Sequence, residues 1–254
     1  MWIFEEGDIP IFATAIHNGH FVHKDILNFM AISEHDRLKE EDPYTAEFTT
    51  IFDCRLVNYL SRFEVDFNRP KSLAVYKTPK EAWGLNLWKS FPPESIINRS
   101  LDYYDKFYFQ LREFIDRLLE KFEKIVVYDI HSYNYRRTGI EEPQEYNPDI
   151  NVGTGTMLKP EIFRTVIDAF VSSIKGKDFF GRPFDVRENV KFKGGYFPKW
   201  LHTNYPENIC VLSIEIKKIF MDENTGEIYP EKILRLKHML AETIVPVIEA
   251  LEKL

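Results

Sequence analysis

Residues 101–131 read LDYYDKFYFQLREFIDRLLEKFEKIVVYDIH, and this stretch carries the clearest fold signal in the chain. Its first part, Leu101 to Phe122, places apolar and aromatic residues at helical spacing, which predicts an amphipathic helix. Its second part, KIVVYDI at 124–130, is a short β-branched run and predicts a buried strand that ends at His131. A helix that leads directly into a buried strand is typical of an α/β fold.

Two apolar runs on either side of this stretch also predict buried strands. Ile9 to Ile16 (IPIFATAI) ends at His17, and ICVLSIEI at 209–216 carries Glu215. Strands that alternate with helices predict an α/β fold with a mixed, mostly parallel sheet flanked by helices. No internal repeat or low-complexity linker interrupts the chain, so we expect residues 1–254 to form a single domain.

The other segments give coarser predictions. Asp42-Pro43 has the pattern of an N-cap followed by proline at the first helical position, so a helix is expected through TAEFTTIFDCR. Leu56 to Phe67 predicts a strand that ends directly before Asn68-Arg69. The remaining expectations are a partly helical Lys24 to Glu41, an irregular Lys71 to Ser95, and helices over Lys159 to Ile174 and Pro230 to Leu254.

Charge and composition narrow the function classes. The sequence has 33 basic and 40 acidic residues, a formal net charge of −7. This balance argues against binding nucleic acid or anionic membranes, because both need a clustered basic surface. The N-terminus lacks a signal-peptide pattern, and no run approaches the roughly 20 apolar residues that span a bilayer. Cys54 and Cys210 stand alone in apolar stretches, which excludes a structural zinc ribbon and predicts reduced core residues of a cytoplasmic protein.

Polar side chains follow three of the predicted strands. His17, Asn68-Arg69 and His131 each come directly after one, and ligands of open α/β sheets bind outside the carboxyl ends of the strands. These positions permit His17 and His131 to meet across the sheet as ligands of a catalytic zinc, which takes about three protein ligands and leaves one position open. The alternative is that each is a hydrogen-bonded surface or loop residue. His20 is also close, but a residue in this glycine turn is equally well explained by solvation.

The third metal ligand stays open on the residue pattern alone. Asp42 and Glu47 are the nearest acidic candidates, and both lie in the predicted helix that follows the His17 loop. Asp42 has a rival explanation, because aspartate before proline is a good N-cap and needs no metal.

Two further groups have competing interpretations. Alternation places Glu215 on the polar face of its strand, where it is either a partly desolvated general base or a solvated partner of a lysine. The segment SRFEVDFNRP contains Arg62, Asp66, Asn68 and Arg69 within eight positions. Planar guanidinium groups bind carboxylates bidentately, so this segment suits an anionic substrate. The alternative is a solvated strand end with an internal Arg–Asp pair.

Together these segments resemble the N-formylglutamate amidohydrolase family, which is distantly related to zinc carboxypeptidases and aspartoacylase. The matching motifs run in the family's order over most of the chain: AIHNGH (15–20), EEDPYTAEF (40–48), SRFEVDFNRP (61–70), YDIHSYN (128–134), PDINVGT (148–154), GGY (194–196) and LSIEIKKIFMDE (212–223). Two motifs depart from the family pattern. Ile16-His17-Asn18-Gly19 replaces the usual proline-histidine-serine-glycine, and Lys217-Lys218 stands where the family often has asparagine-arginine.

The resemblance implies a zinc-exopeptidase-like α/β fold and a zinc-dependent hydrolase that uses a metal-activated water. The implied substrate is the linear amide of an N-formyl- or N-acyl-amino acid, which is a small anion. By this resemblance, zinc would be bound by His17, Asp42 and His131, and Glu215 would act as the general base. The substrate carboxylate would be bound by Arg62, Asn68 and Arg69, of which Arg69 would also act in catalysis. Asp129 would support the site.

Two alternatives to this function remain at the level of sequence. One is a zinc peptidase or deacylase with a larger substrate, whose pocket would be lined by the aromatic residues Trp83, Trp88 and Phe91. The other is a non-catalytic homologue that binds an N-acyl amino acid without turnover. The sequence carries no signal for the oligomeric state.

Overall fold

A computed structural model describes residues 1–136 and 140–254. Within them the strands are β1 (Trp2–Glu5), β2 (Ile11–Ala15), β3 (Arg55–Asn58), β4 (Ile125–Tyr133), β5 (Ile150–Gly153), β6 (Asp178–Phe179), β7 (Arg182–Pro183), β8 (Val186–Glu188) and β9 (Ile209–Lys217). The helices are α1 (Lys24–Leu27), α2 (Glu34–Glu40), α3 (Thr45–Thr49), α4 (Glu94–Lys121), α5 (Arg164–Ile174), α6 (Tyr196–Asn204), α7 (Pro230–Glu242) and α8 (Ile244–Leu251). Short 3-10 turns cover Lys71–Leu73, Pro79–Ala82 and Gln144–Tyr146.

A mixed sheet of strand order β1-β3-β2-β4-β9-β5-β8 forms the centre of the molecule. Strands β3, β2, β4 and β9 are parallel, whereas β1 pairs antiparallel with β3 and β5 pairs antiparallel with β9. Strand β8 lies parallel to β5, and β6 with β7 forms a separate hairpin. The predicted α/β class with a mixed, mostly parallel sheet flanked by helices is confirmed.

Strand β4 is buried at every position because helices cover both of its faces. On one face Val126, Tyr128 and Ile130 pack with apolar residues of α5, α7 and α8. On the other face Ile125 and Val127 pack with apolar residues of α4 and α6. Burial on both faces explains why the sequence of β4 is a continuous apolar run without alternation.

The sheet face that packs against α4 and α6 becomes polar towards the carboxyl ends of its parallel strands. Successive rows of paired residues on this face are Phe12, Val127 and Val211, then Thr14, Asp129 and Ser213, then His131 and Glu215. Side chains two positions apart in a strand share a face, so the apolar core continues directly into a polar end. This polar end positions the candidate site.

The predicted strand from Leu56 to Phe67 is wrong beyond residue 58. The side chain of Asn58 donates to the carbonyls of Ile16 and Leu60 and accepts from the Leu60 N–H, which turns the chain out of the sheet. Asn68-Arg69 therefore does not follow a strand. His131 lies inside β4 rather than after it, so only His17 follows its strand as predicted.

The helix predictions need four corrections. The long helix α4 begins at Glu94, directly after Pro93, and not at Leu101. The predicted helix after Asp42 shrinks to α3 and is capped by Tyr44 at φ 66, not by Asp42. Helix α5 begins at 164 rather than 159, and residues 230–254 form α7 and α8, divided at Thr243. Pro246 lacks the N–H that would continue α7, which explains the division.

Two composition-based expectations can be compared with the structure. Cys54 and Cys210 are both free and buried in the apolar core. Among residues 1–136 and 140–254, no helix is sufficiently long and apolar to cross a membrane. The assignment of residues 1–254 to one catalytic domain stays a prediction.

Candidate active site

A cleft of about 730 Å³ opens at the carboxyl ends of the parallel strands. Its walls come from β4, β9, the segments after β2 and β3, and the segment that leads into α6. All seven residues proposed from the sequence line it: His17, Asp42, Arg62, Asn68, Arg69, His131 and Glu215. The fold therefore brings together residues that are far apart in the chain.

His17, Asp42 and His131 form a buried cluster in this cleft, and none is more than 3% exposed. The Nδ1 atoms of His17 and His131 lie 3.1 Å apart. Asp42 Oδ2 lies 3.4 Å from His17 Nδ1 and 2.9 Å from His131 Nδ1. One potential ligand atom of each residue thus points to a common centre.

The hydrogen-bond acceptors of this cluster require a proton or a metal cation at its centre. His17 Nε2 lies 2.7 Å from Asp66 Oδ1, so this nitrogen donates its proton and leaves a lone pair on Nδ1. That lone pair and the carboxylate of Asp42 both face His131 Nδ1. A proton on His131 Nδ1 satisfies both acceptors when no metal is present, and a metal cation satisfies all three atoms.

His17 Nδ1, His131 Nδ1 and Asp42 Oδ2 also have the spacing of atoms that bind one zinc ion. Zinc bonds of about 2.0–2.1 Å at tetrahedral angles place neighbouring ligand atoms about 3.3 Å apart. The observed separations of 3.1, 2.9 and 3.4 Å are close to this value. Three protein ligands leave one position open, as in catalytic zinc sites. His17, Asp42 and His131 therefore fit the metal that the family resemblance implies.

Each histidine faces a second carboxylate at its other ring nitrogen. Asp66 accepts from His17 Nε2, as described above. Asp129 Oδ1 lies 3.1 Å from His131 Nε2, at an angle outside hydrogen-bond geometry, and accepts a 3.0 Å hydrogen bond from Thr14 Oγ1. Outer carboxylates orient metal-binding histidines and raise their basicity. Asp129 thus lies near His131, and the supporting role expected for it stays a prediction.

Local electrostatics favour a charged carboxylate beside a charged imidazole. Burial opposes the charge on Asp42, yet hydrogen bonds with His131 and His17 hold the pKa of this carboxyl well below its usual range. Burial also opposes the charge on His131, but Asp129 and Asp42 outweigh it and hold its pKa well above 6.5. A metal cation would replace the proton on His131, so metal binding should release protons.

The structure distinguishes between the candidate third ligands. The carboxylate of Asp42 faces the histidines, and its backbone N–H donates to the His17 carbonyl at 3.1 Å. Glu47 is exposed on α3 and lies 4.0 Å from Lys237 instead. His20 bonds to Glu41 and does not join the cluster. Asp42 is thus the acid that the fold places beside the histidines.

Glu215 lies beside His131 in the β4–β9 pairing and lines the cleft. Its carboxylate makes no hydrogen bond or ion pair within the described ranges, so the alternative of a lysine pair does not hold there. Burial raises the pKa of Glu215 to about 7, while His131 opposes this rise. A carboxyl group with a pKa near neutrality is suited to both accept and return a proton.

Arg62 and Arg69 have different environments in the cleft. Arg62 donates to Asp66 Oδ2 at 2.9 Å and stacks 4.7 Å above the ring of Trp83, so the internal Arg–Asp pair is present. Arg69 makes no ion pair with any described residue and lies 5.9 Å from the ring of Tyr76. Arg69 is therefore the guanidinium that is available for a substrate carboxylate.

Asn68 connects the Arg69 segment to helix α6. Its Oδ1 accepts from the Phe197 N–H at 2.9 Å, which caps the helix. Only glycine fits at position 195, because a Cβ there would lie 2.2 Å from Asn68 Oδ1. The amide carbonyl of Asn68 is thus used in the fold, and only its NH₂ group remains for a substrate.

Thr156 and His202 form a pair that the sequence patterns did not indicate. The Val211 N–H donates to His202 Nε2 at 3.1 Å, so the ring proton lies on Nδ1. Nδ1 then donates to Thr156 Oγ1 at 2.9 Å. Thr156 lines the cleft, so its own hydroxyl proton is left for a partner there.

Acid is expected to destabilise the fold through His202. Burial lowers the pKa of this imidazole from 6.5 to about 4. Between these two pH values the imidazole is therefore protonated in the unfolded chain and neutral in the folded chain. The folded state therefore loses about 3 kcal/mol of stability as the pH falls from about 6.5 to about 4.

Urea unfolding at pH 7 and pH 4 measures this loss of stability. His202→Gln should reduce this pH dependence, whereas the exposed His35→Gln should leave it unchanged; equal pH dependence in all three proteins would contradict the assignment.

The rim of the cleft is basic. Lys193 and Lys199 are exposed beside Arg69 and form no ion pair with residues in the described ranges. Of the aromatic residues considered for a larger pocket, only Trp83 lines the cleft, whereas Trp88 packs against Phe91. The basic rim favours an anionic ligand over an apolar one.

These features define the class of the protein. It is an α/β protein with a cleft at the carboxyl ends of its parallel strands, and this cleft has a basic rim and contains three residues that could bind a metal ion. The model of the N-formylglutamate amidohydrolase family matches residues 9–221, so the chain belongs to this family of amide-bond hydrolases. The resemblance predicted from the motifs is thereby confirmed.

Two solved structures have a similar fold. An N-formylglutamate amidohydrolase from Ralstonia eutropha JMP134 has a TM-score of 0.78 and 18% identity, and the match covers 100% of this chain and 98% of that one. A gene product of Agrobacterium tumefaciens has a TM-score of 0.65 and 18% identity, with 98% and 93% covered. Among curated protein sequences, none matches this chain.

Proposed function

We propose that this chain is a zinc-dependent hydrolase that cleaves the linear amide bond of an N-formyl- or N-acyl-amino acid. The observation that carries the proposal is the convergence of His17 Nδ1, His131 Nδ1 and Asp42 Oδ2 beside Glu215, whose carboxylate has no ion pair among residues 1–136 and 140–254. Family membership supports the amide bond as the target.

Each proposed role follows from the position of a side chain in the cleft. Bound zinc would act as a Lewis acid that polarises the amide carbonyl and lowers the pKa of a water towards about 7. Glu215 accepts the proton of the attacking water and delivers it to the leaving nitrogen, which its pKa of about 7 permits in both directions. Asp66 keeps the Nε2 proton on His17, so that Nδ1 stays available as a ligand.

The charges of the cleft support a substrate with carboxylate groups. Arg69 would bind the α-carboxylate and share the negative charge that develops on the carbonyl oxygen. Lys193 and Lys199 offer further positive charge at the rim, which suits a substrate with a second, side-chain carboxylate such as N-formylglutamate. Arg62 contributes to the same positive potential, although Asp66 neutralises part of it.

Amine release from N-formylglutamate tests this proposal. Metal-free protein should be inactive, and one equivalent of zinc should restore turnover. Arg69→Met should reduce kcat/KM by about 100-fold, because it removes a charge-assisted bond worth about 3 kcal/mol. Lys237→Gln, on α7 outside the cleft lining, serves as the control. Zinc-loaded protein that releases no amine from any N-formyl- or N-acetyl-amino acid would overturn the proposal.

The two alternatives predict different results in the same assay. A deacylase or peptidase with a larger substrate should prefer long acyl groups or peptides, and Trp83 is the aromatic residue placed to contact them. A non-catalytic homologue should bind N-acyl amino acids without product formation and should purify without metal.

A further inference from the structure

A second cleft lies beside the candidate active site and shares none of its lining residues. Its volume is about 620 Å³. It is bounded by the end of β9, the β6–β7 hairpin, the start of α7 and the chain that follows β4. The proposed hydrolase makes no use of this cleft.

Positive charge predominates in the second cleft. Arg136, Arg182, Lys217 and Lys232 line it, against the two carboxylates of Glu141 and Asp185. Asp149 lies behind the lining and pairs with Arg182, so four cations face three carboxylates here, whereas the protein as a whole has a net charge of −7. A concave cationic surface concentrates anions.

Lys217 is the most unusual of these cations because its side chain is only 3% exposed. Its ammonium group donates to the neutral Oε1 of Gln144 at 2.8 Å. Within the described ranges, the closest carboxylate oxygen is Glu141 Oε1 at 3.9 Å, on a side chain that is 56% exposed. Burial lowers the pKa of Lys217, while the nearby carboxylates of Asp149 and Glu141 oppose this change. An anion bound in the cleft could approach this ammonium more closely than Glu141 does.

Aromatic side chains form the apolar part of the same cleft. The Lys217 ammonium lies 4.6 Å from the ring centre of Tyr135, and Tyr229 and Phe180 also line the cleft. Phe180 is 57% exposed and has a φ of 51°, in the left-handed region that a phenylalanine rarely adopts. Phe180 and Gly181, with φ of 51° and 83°, connect β6 to β7, and a two-residue hairpin turn requires positive φ at both positions. The turn leaves the Phe180 side chain exposed at the rim of the cleft.

We propose that the second cleft binds a small aromatic anion, an aryl carboxylate or aryl phosphate. Its acidic group lies between Lys217 and Lys232, and its ring packs against Phe180. Arg182 holds the floor of the site in place, because both of its terminal nitrogens bind the buried carboxylate of Asp149 at 2.5 and 2.8 Å.

Calorimetric titration of the full chain with phenyl phosphate, benzoate and inorganic phosphate tests this site. Phenyl phosphate should bind more tightly than inorganic phosphate, because only the former has a ring for Phe180. Lys217→Met should weaken phenyl phosphate binding by about tenfold or more, as expected for the loss of one charge-assisted contact. Phe180→Asn, which keeps a residue tolerant of positive φ, should weaken phenyl phosphate but not inorganic phosphate.

Three variants complete the test. Lys232→Gln alters a side chain at the surface and should also weaken phenyl phosphate, so the proposal stays testable if Lys217→Met fails to fold. Lys237→Gln on the same helix should bind as the wild type does. Arg69→Met should retain full binding, because Arg69 lies in the first cleft. Absence of binding to the wild type, or binding that Arg69→Met abolishes and Lys232→Gln does not, would overturn the proposal without affecting the proposed hydrolase.

Discussion

Glu215→Gln is expected to lower kcat by about 10²–10⁴-fold while zinc content stays near one equivalent. Glutamine keeps the size and polarity of the side chain but cannot accept a proton at neutral pH. Glu215 lies outside the three-residue cluster, so its loss should leave the metal ligands in place. Steady-state kinetics with N-formylglutamate, together with metal analysis of the same preparation, separates the loss of proton transfer from the loss of metal.

Two control variants sharpen this result. Glu227→Gln changes an exposed glutamate outside the cleft and should retain wild-type kcat. Glu215→Asp keeps the carboxylate but shortens the side chain by one methylene, so partial activity is expected. Unchanged kcat in Glu215→Gln would show that another group moves the proton, and loss of zinc in that variant would show that Glu215 supports the metal.

The central strands and the long helix were predictable because their signals are local. Strand β4 lies buried between two helical layers, and its continuous apolar run shows this in the sequence. Helix α4 presents a regular apolar stripe to the sheet from Tyr104 to Leu118. The two histidines followed from the same reasoning, because the carboxyl ends of parallel strands meet at one edge.

The surroundings of the metal candidates were less predictable because they depend on contacts between distant segments. Asp42-Pro43 fits an N-cap and a ligand equally well in sequence, and only the position of His131 distinguishes the two. Asp66 was visible as a neighbour of Arg62, but its hydrogen bond to His17 spans 49 positions. No local spacing predicts such a pair.

The roles of Asn68 and Thr156 also depend on contacts between segments that are far apart in the chain. The sequence motif predicted that Asn68 binds the substrate, yet its side-chain oxygen Oδ1 accepts a hydrogen bond from the first turn of a helix 129 positions away. Thr156 carried only the weak signal of the glycine-containing GTGT segment at 153–156, since its orientation depends on His202, whose tautomer depends in turn on the backbone of β9. A lone threonine after a glycine becomes a candidate only when its hydrogen-bond partners are known.

His131→Ala is expected to abolish zinc binding at the cluster and with it the hydrolysis of N-formylglutamate. The variant removes one of three ligand atoms, and even the loss of a residue outside the first shell costs about 10–100-fold in metal affinity. The two remaining ligand atoms should therefore hold a cation more than about 100-fold less tightly. Competition with a zinc chelator measures this affinity directly.

Thermal unfolding gives a second measurement of the same effect that does not depend on substrate identity. Zinc at 1,000 times its dissociation constant should stabilise the wild type by about 4 kcal/mol, because only the folded chain presents His17, Asp42 and His131 together. At the same zinc concentration a 100-fold loss of affinity leaves about 1.4 kcal/mol, so the zinc-dependent rise in Tm should shrink to about a third or less in His131→Ala. It should persist in full in His35→Ala, which alters an exposed histidine. If His131→Ala fails to fold, His17→Gln should show the same loss, because it also removes one ligand atom. Equal zinc affinity in the wild type and in either cluster variant would exclude these residues as ligands, and the cleft would then need another explanation for three lone-pair donors around one point.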